Sequence, residues 1–489
     1  MLELRENNGK TGIFPSYGRL TAAAVIALAL AGCAVVPDYA GAPDMALQKF
    51  HNVDSVAAGQ QNGDTVSLDK WWAGFNDPEL TKIVEKAIDQ NLDLAASIAR
   101  VQEARAAAQS AGARLLPTAD ASADATHIRS SLESPIGAIG SHLPGYDRDN
   151  DFYNIGAGAS WEIDLFGGLR RGEEEAEAEA QAAEAEHLGV RVSVAAEAAD
   201  SYIQIRGFQA QLAAVQKQVD VDKQRYGLIQ LRQKYGAADD RDAAEAEALL
   251  RSAEAEVPQL RIALEAQLNR LDVLLGVQPG TYAAELAKPA RIPSIPSVTT
   301  TVSASDLLRR RPDLIVAERR LAASNAAIGV AVSDYYPKIS LSGLLGFESM
   351  DVQHLFRAAT FQPQAIGGLR WRLFDFGKVD AEVAAAKGAH AEALAQYRQS
   401  VLRATEDVED SFMALAQYKV QADAVTQKEK TLSHSKDLAQ AEYEHGALSL
   451  PEVLDAEREV LSAQNELAQA KTSAARAAVA SFRALGGGW

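Results

Sequence analysis

A single cysteine, Cys33, stands in the 489 residues, so no intramolecular disulfide can form. Aromatic residues make up 6% of the chain and methionines number four, too few for a base-stacking platform or a Met-rich patch for soft metal ions. Positive charge is also short. A formal net charge of -18 and the lack of a basic stripe exclude nucleic acid as a partner. No P-loop, H-E-x-x-H or G-x-S-x-G turn is present, the eight histidines are scattered, and no cysteine pair exists to hold zinc. The expectation is therefore no catalysis and no metal. Proline is absent from 168–234 and again from 378–444. Beyond the N-terminal region no stretch is apolar enough for a membrane helix, so any spanning part must be a β-barrel.

What is present begins at the N-terminus. Arg19 precedes a short apolar run, Leu20 to Leu30, followed by Ala31-Gly32-Cys33. A positive flank, an apolar core and small residues before a cleavage point describe a secretory signal over 1–32. Small residues ending in cysteine also resemble a bacterial lipobox. Cys33 would then be the first mature residue, carrying covalent diacylglycerol and an N-acyl chain, with no other cofactor expected. A plain signal with an incidental thiol, or a buried core cysteine, are the alternatives.

The rest of the chain is written twice. Trp161-Glu162-Ile163-Asp164-Leu165-Phe166-Gly167 returns as Trp371-Arg372-Leu373-Phe374-Asp375-Phe376-Gly377, 210 residues later. Tyr235-Gly236-Ala237 returns as His445-Gly446-Ala447, and Leu275-Gly276 as Leu485-Gly486, at the same offset. Upstream the offset is 220: Asn91-Leu92-Asp93-Leu94 matches Arg311-Pro312-Asp313-Leu314, and Leu116-Pro117 matches Tyr336-Pro337. Insertions are tolerated in exposed loops, so the ten-residue difference belongs to a loop between proline and tryptophan.

Each copy has one internal order. The first spans 81–276 and the second 307–486, joined by a connector at 277–306 rich in Pro, Thr and Ser. A helix (Leu94–Leu115; Leu314–Tyr335) precedes a strand pair within 117–166 or 337–376. The expected strands are Thr118–Ile128 with Phe152–Leu165, and Ile339–Phe347 with Gln364–Phe374. Such lengths suit a thin apolar belt. Glycine-rich polar strands also occur in soluble sheets. The proline-free runs 168–234 and 378–444 then make rods of roughly 100 Å, packed as coiled coils through alanines and spaced apolar residues such as Val401, Val408, Phe412 and Leu415. Return helices cover 240–276 and 450–485. Residues 33–80 form an N-terminal belt segment, and the tail, 487–489, carries no signal of its own.

These residues resemble the TolC-like outer-membrane factors, and among them the lipidated NodT-type efflux lipoproteins. The matching motifs are Cys33 followed by Val36-Pro37-Asp38-Tyr39, then Trp71-Trp72 with Phe75-Asn76-Asp77-Pro78-Glu79-Leu80. Behind them come Leu308-Arg309-Arg310-Arg311-Pro312-Asp313, Ala317-Glu318, Leu321, Ile328-Gly329 and Tyr336-Pro337. The resemblance implies a mainly helical fold with a transmembrane β-barrel. A homotrimer would form twelve strands, four per chain, on a periplasmic helical tunnel. It implies location in the outer membrane, a periplasmic adaptor meeting the tip turns (Gly236, Ala237, Gly446, Ala447, Leu448, Ser449), and an inner-membrane RND-type pump. The function implied is a passive exit duct for drugs or other small solutes; metal ions, oligosaccharides or a type I secreted protein are the alternative cargoes. A structural coiled-coil lipoprotein without a pore is the alternative of another class.

In such proteins two acids one helical turn apart face the pore, here Glu452 and Asp455. Asp242 and Glu245 hold the same positions in the first copy. Threefold repetition would make carboxylate rings that favour cations. Solvated helix-face charges are the competing reading. A basic residue that helps lock the gate in some relatives is replaced by Leu448. The Arg309-Arg310-Arg311 run is read as capping or docking a helix, and Trp71-Trp72 as packing residues.

Overall fold

The computed structural model describes residues 38–43, 45, 49–58, 67–298, 306 and 310–489. Cys33, the 1–32 signal, Arg309 and part of the connector lie outside the described residues. In chain order the helices are α1 (Val53–Ala58), a 3-10 segment (Leu68–Phe75), α2 (Pro78–Gln90), α3 (Leu92–Ala113), α4 (Pro135–Gly140), α5 (Gly168–Lys234), α6 (Asp240–Leu274), α7 (Ala283–Leu286), α8 (Pro312–Ser333), α9 (Lys378–Glu444) and α10 (Leu450–Ala484). The strands are β1 (Thr118–Arg129), β2 (Asp149–Ile163), β3 (Lys338–Ser349) and β4 (Phe361–Arg370). Each proline-free run is one helix of 67 residues, and each return helix has 35.

The chain divides into two compact units. The first comprises 105–178 and 321–392 with the described part of 1–41. It holds one antiparallel sheet in the order β1-β2-β3-β4. Beneath the sheet Phe166 stacks on Tyr336 at 4.8 Å. A Cβ on Gly329 would stand 2.6 Å from Arg171, so glycine lets α8 approach α5 there. Differences from the expected strands are local. β4 begins at Phe361 and ends at Arg370 rather than running to Phe374, and the β1–β2 loop contains the short helix α4, with Pro135 at its start.

The second unit comprises 42–104, 179–320 and 393–489. Its core gathers Trp71, Trp72 and Phe75 against Tyr202, Ile203, Phe412 and Phe482, with alanines 195, 198, 199, 475 and 478. Trp71 stacks on Phe482 at 5.3 Å. Burial of one such ring stabilises by roughly 1.5–3 kcal/mol, and the alanines let the helices close around it. Asp77 caps α2 through the amides of Glu79 and Leu80, a helix start not foreseen from the sequence. The tail is also built in. Gly488 donates to the Leu68 carbonyl at 2.8 Å, and a Cβ on Gly487 would meet that same carbonyl oxygen at 2.9 Å. Of the arginine run, Arg310 pairs with Asp69, while buried Arg311 holds Asp313 and Asp407 and the Ala484 carbonyl.

Candidate functional site

Alternation along the strands, combined with the pairing, assigns every sheet residue to one of two faces. One face carries Ala119, Ala121, Ala123 and Ala125 of β1, then Ile155, Ala157, Ala159, Trp161 and Ile163 of β2. It continues with Ile339, Leu341, Gly343, Leu345 and Phe347 of β3 and Phe361, Pro363, Ala365, Gly367 and Leu369 of β4, and beyond this belt turns polar at His127, Arg129, Asp149, Asp151 and Ser349. The opposite face carries Thr118, Asp120, Ser122, Asp124, Asn154, Gly156, Gly158, Ser160, Glu162, Ser340, Ser342, Glu348, Gln362 and Gln364, with Ile128, Phe152, Leu344 and Ile366 as apolar exceptions.

The apolar face is not a core. Leu345 is 62% exposed and Leu369 67%, and all of β1 is exposed. Ile339 to Phe347 span about 27 Å along the strand, close to the height of a hydrocarbon belt once tilted. Aromatics mark both limits. Phe347 packs with Phe356 and Phe361 at one end. At the other, the Trp161 indole donates to the Leu115 carbonyl at 2.8 Å and that of Trp371 to Tyr335 at 3.0 Å. Both outer edges, β1 and β4, lack a partner within the sheet. Among the described residues no helix is long and apolar enough to cross a membrane.

The two tip turns share one geometry. Gly236 and Gly446 both adopt φ of 75°, a left-handed conformation that glycine takes without strain. Ala237 donates to Arg232 at 2.8 Å and Ala447 to Glu442 at 2.9 Å, each sealing the end of a long helix. The return helices then begin on side-chain caps. Asp242 accepts from the Asp239 amide at 3.2 Å, while its own amide donates to Asp239 at 2.8 Å. Glu452 accepts from the amide of Ser449 at 2.9 Å and from its hydroxyl at 2.6 Å. The Ser449 hydroxyl, then its amide, holds the Glu452 carboxyl below its usual range. Leu448 is half-buried, and Ala237, Ala447 and Ser449 are exposed.

Asp455 faces a different partner. Its Oδ1 lies 3.3 Å from Nε of Arg225 on α5. Beside this pair Asp222 is 1% exposed, and burial raises its carboxyl above the ordinary value despite the attraction of Arg458 and Arg225. Val221, Leu454 and Leu461 pack alongside. Within one chain, then, Glu452 and Asp242 are engaged in caps, Asp455 is engaged with Arg225, and Glu245 is exposed. The charged group missed by reading the sequence is Asp222-Arg225-Asp455-Arg458. No local pattern marks it, because it joins residues more than 200 positions apart. Among the described residues no cluster of His, Cys, Asp and Glu could hold a metal ion.

Residues 83–277 and 290–487 match the family model described as outer membrane efflux protein. Nodulation protein T of Rhizobium leguminosarum bv. viciae is 30% identical over 439 residues, covering 90% of this chain and 87% of the relative. Outer membrane protein OprJ of Pseudomonas aeruginosa is 29% identical over 476 residues, 97% of this chain and 96% of the relative. The solved outer-membrane channel OprN superimposes with a TM-score of 0.81 at 33% identity, covering 94% of this chain and 100% of that one. The two copies each match the family model, and the relatives run the full length of the fold. The chain belongs to the outer membrane efflux protein family, the TolC-like outer-membrane factors.

Proposed function

We propose that this protein is the outer-membrane exit duct of a tripartite efflux system, conducting small solutes passively and catalysing no reaction. The observation that carries this reading is the two-faced sheet with free edges. An apolar belt along one face, open to its surroundings, has a physical purpose in lipid, and a polar face behind it suits a water-filled lumen. Four strands cannot close, and free edges invite pairing; three copies would give a twelve-stranded barrel with no edge.

In this reading Cys33 carries the diacylglycerol and N-acyl chains that anchor the mature chain to the outer membrane. The tip turns at Gly236–Ala237 and Gly446–Ser449 meet a periplasmic adaptor, which links the duct to an inner-membrane RND-type pump that supplies the energy. Glu452 and Asp455, with Asp242 and Glu245, form the acidic constriction, and Arg225 tempers the charge of Asp455. Relatives are named for different cargoes, pyoverdine in one case and toluene in another, so small amphiphilic solutes are proposed as a class.

The test is single-channel conductance of the mature protein in a planar bilayer, beside a Glu452→Ala, Asp455→Ala double variant. A small cation-selective current that divalent ions block from the tip side, with block relieved in the variant, supports duct and gate together. Current with unchanged block keeps the duct and removes the gate. Well-folded oligomers that pass no current overturn the duct.

A further inference from the structure

The two hairpins of the sheet end differently at the rim away from the helices. His127 with Asp151 and Phe347 with Phe361 are equivalent pairs under the 220 and 210 offsets, both on the apolar face. In the second hairpin that pair closes the ladder with two rings, and Phe356 of its loop packs on Phe347 at 5.5 Å. In the first hairpin it is a hydrogen-bonded pair at 2.8 Å, and the ladder runs two residues further, to Arg129 beside Asp149 at 3.5 Å. Polar and charged side chains thus end the apolar belt on this hairpin. Its polar face changes the other way, for Ile128, 45% exposed, and Phe152 stand near the rim there. At the rim of the first hairpin the two faces exchange character.

The ten residues by which the first copy is longer fall between His127 and Asp151. They build a fixed platform rather than an open loop. Ser134 starts α4 by accepting from the Gly137 amide at 3.1 Å. A Cβ on Gly137 would stand 1.9 Å from the Ser131 carbonyl oxygen, and one on Gly140 2.5 Å from the Tyr146 ring, so α4 lies directly on its own loop. What α4 and the turn after it leave open is Ile136, Ile139 and Leu143, which are 76%, 70% and 60% exposed. Three large apolar side chains held together in the open mark a contact surface.

We infer that loop 130–148 leans over the proposed lumen, so that three copies gather Ile136, Ile139 and Leu143 into an apolar constriction at the outer mouth. The inference rests on the barrel proposed above. Hydrocarbon is not the cover, because His127, Arg129, Asp149 and Asp151 stand between the apolar belt and the loop. On the other face Ile128 and Phe152 carry apolar character from the loop down the wall of the lumen. The reach is sufficient. Twelve strands about 4.8 Å apart, tilted by about 40°, put the wall about 12 Å from the axis. A helix the length of α4 spans about 9 Å and comes within side-chain reach of that axis. Such a ring hinders bulky hydrophilic molecules arriving from outside and offers an apolar surface to amphiphilic solutes on their way out.

Two assays on the full-length protein test this. In the first, Ile139→Cys is oxidised in outer-membrane vesicles and run on a non-reducing gel, beside the wild type with its one cysteine and Phe356→Cys on the other hairpin. Three thiols around one axis form a single disulfide, so a two-chain band with one chain left over is expected, about tenfold above both controls. In the second, Ser122→Cys on the polar face is labelled in whole cells by a maleimide on a long polyethylene glycol chain. Adding Ile136→Ser, Ile139→Ser and Leu143→Ser is expected to speed that labelling about tenfold. Each assay decides alone where the other's variant fails to assemble. Assembled trimers that do not cross-link through Ile139→Cys, or whose labelling rate the serine variants leave unchanged, overturn the constriction and leave the barrel standing. Inserted chains that stay monomeric by light scattering overturn constriction and barrel together.

Discussion

Arg225 and Asp455 oppose each other across the α5–α10 seam at 3.3 Å, so the charge that Asp455 presents at the tip is partly cancelled. Arg225→Ala is expected to tighten divalent-ion block of the bilayer current by roughly tenfold, the effect of about 1.4 kcal/mol in site affinity. Asp455→Ala is expected to weaken it. Titrating magnesium on the tip side checks both, and equal block in the two variants moves the divalent site elsewhere. Asp222 gives a pH signature. Its ordinary value is 3.8 and burial raises it, so the folded chain binds this proton more tightly than the unfolded chain. Ionising Asp222 therefore costs stability as the pH climbs from about 4 through the raised value. Relative to Asp222→Asn, the wild type is expected to lose melting temperature between pH 4 and pH 7; a relative gain over that range refutes the assignment. The acids at 452 and 455 were visible in the sequence, but their distinct engagements were not. A spacing of three serves a capping box as well as a shared helix face, and Glu452 takes part in both patterns, with Ser449 in the first and Asp455 in the second.

Helices with one dominant constraint were legible as elements. A long proline-free run rich in alanine has few alternatives to helix, and α5 and α9 occupy 168–234 and 378–444. Short elements fixed by distant partners were not. The Gly487–Trp489 tail has no pattern of its own, and it is held by Leu68 and Arg310 from elsewhere in the chain. Close approach of α5 and α10 is equally silent in sequence. A Cβ on Gly207 would stand 2.2 Å from the Thr472 hydroxyl, which is itself tied to the Ala468 carbonyl at 2.7 Å. Gly207→Ala is expected to destabilise by about 1–3 kcal/mol through overpacking, despite the better helix propensity of alanine. Thr472→Ala in the same chain should recover most of that loss, because it removes the obstructing hydroxyl. A denaturant cycle over the four proteins measures the coupling, and additive single effects would separate the two residues.

At the scale of the whole molecule, one chain supplies two chemically distinct surfaces on a single sheet, and the polar one bears an excess of negative charge. Asp120, Asp124, Glu162 and Glu348 lie on it, against Lys338 and Arg370 at the helix-side end. Repeated around the proposed barrel, these acids would set a negative potential in the lumen, strongest where no base stands nearby. A twelve-stranded lumen is wide, so most ions pass away from the wall and the field acts over a Debye length of about 10 Å at 0.1 M salt. Weak cation selectivity that fades with salt is the expected outcome. In a salt gradient the reversal potential should be clearly cation-selective near 0.1 M and approach zero near 1 M, where screening shrinks to about 3 Å. Asp120→Asn with Asp124→Asn should lower the selectivity at low salt while leaving conductance at 1 M unchanged. Selectivity that persists at 1 M would locate the discriminating charges in a constriction narrower than the barrel, at the helix tips rather than on this face.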